Sequence, residues 1–110
     1  MTKYLFTGGY TTQGVQGLLD DSATQRVAEV RKLVEAVGGD LESMYFTFGR
    51  DDFHIIASVP DNASAAAAAS VAAASGAITV QTTVAMTAEE LDDGLSKGRP
   101  IAAAFRAPGD

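Results

Sequence analysis

From Ala63 to Ser75 the chain is built of alanine and serine with one valine, Val71. Alanine is the strongest helix former because its side chain loses no rotameric freedom, so this segment reads as a helix. Pro60 ends what precedes it, Asp61 or Asn62 caps it, and Gly76 stops it. Such a helix brings little side-chain volume of its own. It joins a core only by lying close on a partner that supplies the bulk, and an inward row such as Ala67, Ala68 and Ala72 suits a sheet carrying large apolar residues.

The remaining segments supply that sheet. Lys3 to Tyr10 alternates large apolar with smaller residues and predicts a first strand. Thr11 to Asp21 is less regular, with one helical turn around Val15, Leu18 and Leu19. Ser22 and Gln25 have capping-box spacing, and Val27, Val30, Val34 and Val37 recur at helical intervals, so a helix runs from Ala23 to Val37 and stops at Gly38-Gly39. Leu41 to Phe48 and Phe53 to Val59 are strands whose short link, Gly49-Arg50-Asp51-Asp52, makes them a hairpin. Ala77 to Met86 is a fourth strand. Thr87 and Glu90 form another capping box, opening a short helix with Leu91 and Leu95 on one face that ends at Gly98. The order β-α-β-β-α-β is the ferredoxin-like α+β arrangement, one antiparallel sheet with two helices on one face, plus a short C-terminal helix. A single domain over residues 1–98 and a tail over 99–110 follow.

Sorting the strands by alternation gives an apolar set comprising Tyr4 and Phe6; Met44, Phe46 and Phe48; Phe53, Ile55, Ala57 and Val59; and Ile78, Val80, Val84 and Met86. This set belongs under the helices. The opposite set, Leu5, Thr7, Tyr45, Thr47, His54, Ile56, Ser58, Thr79, Gln81 and Thr83, mixes apolar with uncharged polar residues. A face with Leu5, Tyr45 and Ile56 on it suits coverage by a second copy of the chain, and a homodimer is expected.

Charge and composition narrow the partners. Eight basic residues against fourteen acidic ones give a formal charge of -6, a field that repels phosphate backbones and anionic lipid, so neither nucleic acid nor membrane is expected as a partner. The absence of cysteine removes disulfides, thiolate nucleophiles and cysteine metal sites. Met1 to Tyr10 carries no apolar signal-type run, and a cytoplasmic location is expected.

Several short motifs stand in a recognisable order: Lys3-Tyr4-Leu5-Phe6-Thr7-Gly8-Gly9-Tyr10-Thr11, the double glycine before Leu41, the hairpin after Phe48, Pro60-Asp61-Asn62 before the alanine helix, and Thr82-Thr83-Val84 before Thr87-Ala88-Glu89-Glu90. Together they resemble the small bacterial GYD-domain proteins over Lys3 to Leu95. The resemblance implies a dimeric α+β barrel, in which two ferredoxin-like sheets pack face to face. Its name motif maps onto Gly49, Asp51 and Asp52, with Asp51 where the family's tyrosine would stand. It implies no particular reaction.

Candidate chemistry is sparse. His54 is the only histidine and the one side chain whose ordinary pKa lies near neutrality, so it is the candidate general acid or base. Thr7, Tyr45, Thr47 and Gln81 fall near it on the mixed face, and with Tyr10 they are candidate ligand-binding residues. A half-buried histidine bonded across a dimer face is the plainer alternative, because no carboxylate orients the ring on its own face. Asp51 and Asp52 point to opposite sides of an extended chain, which suits turn chemistry better than a paired-carboxylate or metal site. No metal and no cofactor are expected. Gly9 to Gly14 has the glycines of a phosphate loop without its Lys-Ser/Thr pair, and Ser64, Ser70 and Ser75 have no base in view. Two functions fit: a small-molecule-binding homodimer with its pocket between sheet and helices or inside the barrel, or a cofactor-independent enzyme acting on a hydrophobic or aromatic metabolite with His54 as acid/base.

Overall fold

The computed structural model describes residues 1–110. Four strands, β1 (Thr2–Tyr10), β2 (Asp40–Phe46), β3 (Phe53–Val59) and β4 (Ile78–Ala85), form one antiparallel sheet in the order β2-β3-β1-β4. The helices are α1 (Thr12–Asp20), α2 (Ala23–Ala36), α3 (Asn62–Ala74) and α4 (Ala88–Ala102). This is the α+β, ferredoxin-like arrangement expected, with one helix added after β1.

Register explains the core. Tyr4 pairs with Ala57 and Val84, Phe6 with Ile55, and Gly8 with Phe53 and Val80, so the apolar positions of all the strands meet on one side. Tyr4, Phe53 and Val59 are fully buried there, with Val34 of α2 and Ala65 of α3 closing over them. The alanine helix presents Ala65 and Ala68 inward and Ala69 and Ala72 half-buried, whereas Ala67 faces outward. The Asp61 carboxylate caps it by accepting the Ser64 amide at 2.8 Å. The Tyr4 phenol donates to the Asn62 side chain, tying the first turn of α3 to the sheet.

Four local readings change. Thr11 to Asp21 forms a full helix, because the Thr11 hydroxyl accepts the Gly14 amide at 3.1 Å while its own amide donates to the Ala77 carbonyl at 2.9 Å. Strand β2 stops at Phe46. Thr47 turns inward on the hairpin, its amide donating to the Asp52 carbonyl and its hydroxyl to that of Asp51, and Phe48 is left wholly exposed. Ser22 caps α2, but the returning arm of the box is missing because the Gln25 amide group bonds Glu29 instead. Helix α4, opened by the Thr87–Glu90 capping box, runs through Gly98 and Pro100 to Ala102. The carbonyl that Pro100 leaves without a donor lies on an exposed helix where water can reach it.

That last helix leaves the body of the molecule: none of its residues is buried. The radius of gyration is 17.6 Å and the longest dimension 58 Å, where a compact chain of this length would have a radius of about 13 Å.

Candidate functional site

A cleft opens where α1, α2 and the C-terminal end of α3 spread apart over the sheet. Its volume is about 680 Å³, within the range of small-molecule sites. Met44, Phe53, Ile55 and Ile78 make its floor, and Leu18, Val30, Leu33 and Ala72 its walls. A narrower recess of about 60 Å³, lined only by hydrophobic residues, shares much of this lining and reaches in to Phe6, Ala68 and Val80.

Small residues make the space. Gly14 lets α1 approach the sheet, since a Cβ there would stand 2.0 Å from the Ala77 carbonyl oxygen. Gly17, one turn on, meets nothing within 4 Å and looks into the cleft. Across from it the alanine helix contributes Ala72 where a larger side chain would close the wall.

The rim is polar. Tyr10, at the end of β1, rests edge-on against Phe53 with ring centroids 5.7 Å apart. Burial pushes its phenol above the usual range, the nearby Arg26 guanidinium opposes that shift, and the Asp52 carboxylate adds to it. The same carboxylate accepts the Tyr10 backbone amide at 2.9 Å, so the Asp52 side chain anchors the end of β1 while its backbone carbonyl holds the hairpin. Arg26 is half-buried and forms no ion pair. Glu29, one turn along α2, is held by Lys32 at 3.2 Å and by Gln25 at 3.1 Å.

The residues singled out in the sequence fall in three places. Tyr45, His54, Thr7 and Gln81 form a single row across all four strands, paired in that order, on the face away from the helices. The His54 ring is exposed and has no carboxylate in its row. Beside it runs a second row of Ser43, Ile56, Leu5 and Thr83, and beyond that Glu42 accepts from Lys3 and Ser58, both at 3.0 Å. The Lys3 and Ser58 bonds hold the Glu42 carboxyl below its ordinary range. Thr47 and Asp51 sit in the hairpin link, and Gly49 is exposed at its tip. Of the candidates only Tyr10 lines the cleft. Gln13, Leu18 and Arg26 were not among them; of the apolar trio Val15, Leu18 and Leu19 only Leu18 lines the cleft, while Val15 and Leu19 are exposed. The side chains include no cluster of three or more potential metal ligands, and no helix is long and apolar enough to cross a membrane.

A family model for the GYD domain matches residues 4–95, from the first core tyrosine to the middle of α4. The chain belongs to the GYD-domain family. No significant match was found among curated proteins or among solved structures. The matched span takes in the sheet from Tyr4 onward, the cleft, and the Gly49–Asp52 link whose last residue fixes Tyr10 at the cleft rim. In this GYD-domain chain the hairpin motif therefore touches the cleft through the backbone of β1.

Proposed function

We propose that this GYD-domain chain binds a small molecule and works as a homodimer in the cytoplasm. The observation that carries the binding reading is the cleft itself: an apolar floor beneath a rim of Tyr10, Gln13 and Arg26, the combination of bulk burial and a few orienting polar groups that small ligands require. The homodimer is supported by the open sheet face, where Leu5 and Ile56 lie side by side at the centre and Tyr45 is 68% exposed. The enzyme alternative built on His54 has less behind it, because an imidazole without an orienting partner is a poor general base.

Untargeted profiling of compounds released from the natively purified protein tests the binding reading. A compound retained by the wild type and lost from Gly17→Leu is expected. The leucine would enter the cleft from a position where nothing else stands, and it improves helix propensity over glycine. A compound retained equally by both proteins would contradict the cleft as its site.

A further inference from the structure

The rim and the depth of the cleft differ in a way that defines the ligand. The floor and the recess beyond it are lined by apolar side chains, the recess reaching Phe6, Ala68 and Val80. At the mouth stands one cation, Arg26. It is half-buried, and none of the carboxylates around the rim, Asp21, Glu29 and the Asp52 that accepts the Tyr10 amide, lies within ion-pair distance of it. Glu29 is already engaged by Lys32 and Gln25. Asp21 is exposed at the end of α1, in water. Arg26 thus presents free donors at the polar mouth of an apolar slot, whose lining also includes the Tyr10 phenol, a hydrogen-bond donor at neutral pH.

We infer that the cleft takes an amphiphilic monocarboxylate, its carboxylate on Arg26 and the Tyr10 hydroxyl and its apolar part lying over Phe53 and Ile55 towards the recess. This inference rests on the cleft being the binding site and adds the chemical class. A guanidinium offers two parallel N–H donors that match a carboxylate in one plane, which an alcohol or an amine head cannot use. A cationic amphiphile would leave the guanidinium facing like charge, and a wholly apolar ligand would bury it without a partner.

Calorimetric titration of the wild type, Arg26→Gln and Gly17→Leu with decanoate, decanol and decylamine tests it. The wild type is expected to prefer decanoate over decanol by about tenfold or more, the scale of one charge-assisted hydrogen bond. Arg26→Gln should abolish that preference while still binding decanol, and Gly17→Leu should bind none of the three with an undiminished melting temperature. Equal binding of decanoate and decanol by the wild type, tighter binding of decylamine, or a preference that survives Arg26→Gln would overturn the carboxylate class and leave the cleft reading standing. If the wild type binds none of the three, or if Gly17→Leu binds them as the wild type does, the cleft reading fails together with the inference.

Discussion

Single side chains in this molecule do different work according to which side of the sheet they face. Tyr4 is a core residue with a polar tip: its ring is 2% exposed and its hydroxyl reaches Asn62. Tyr4→Phe keeps the ring and removes the bond, and is expected to lower stability by about 1 kcal/mol, read from the urea midpoint. Tyr10 is held above the ordinary phenol range by burial. A phenol with a raised folded pKa stabilises the fold below its unfolded pKa, and that contribution is lost as pH rises through the alkaline range. Absorbance titration of the phenols should show one ionising later than in Tyr10→Phe, and the variant should lose less stability on the alkaline side. The row from Tyr45 to Gln81 was legible in the sequence because strand alternation has a period of two and hairpin pairing fixes its phase. The place of Arg26 on the cleft was not legible, because the cleft is formed by residues of separate helices and strands, which no local pattern records.

Among the elements, α3 shows most plainly how composition sets packing. Ala65→Leu would force three carbons into a position already 2% exposed in the core and should cost about 1–3 kcal/mol. Ala67→Leu, on the outward side, should melt like the parent, and equal melting of both variants would contradict close seating of α3. The cap of the same helix is pH-sensitive. Bonds from the backbone and side chain of Ser64 hold the Asp61 carboxyl below its ordinary range. A depressed carboxylate stabilises the fold above its unfolded pKa and loses that contribution as pH falls through its folded value. Asp61→Asn, which still caps, should flatten the acid side of the stability profile measured by circular dichroism. Strand β3 and the alanine helix could be read almost residue by residue, the first from clean alternation between hairpin and proline, the second from composition. Helix α1 could not, since Gly14 and Gly17 weaken the local helical signal and the order comes from Thr11 bonding to Gly76 and Ala77, far along the chain. The end of α4 was hidden by Gly98, expected to stop a helix that instead runs on through it and Pro100 to Ala102.

At the scale of the whole molecule, one sheet face is buried under helices and the other is open, and α4 stands away from the body. Leu91 and Leu95 of α4 and Val84, which lies on the helix side of β4 beyond the reach of the helices, are each about half exposed. Sedimentation at micromolar concentration should give twice the 11.3 kDa chain mass. Ile56→Glu, placing a charge in the centre of the open face, should give monomer with unchanged far-ultraviolet circular dichroism. A wild-type monomer would contradict the dimer and leave the cleft untouched, since the two lie on opposite sides of the sheet. Which side of the sheet holds the ligand is the deciding question. Amide chemical shifts followed by nuclear magnetic resonance during titration with the neutral probe N-phenyl-1-naphthylamine answer that directly. The shifts are expected to move at Gln13, Gly17, Leu18, Val30 and Phe53 around the cleft; movement confined to Thr7, Tyr45, His54 and Gln81, with the cleft silent, would contradict it.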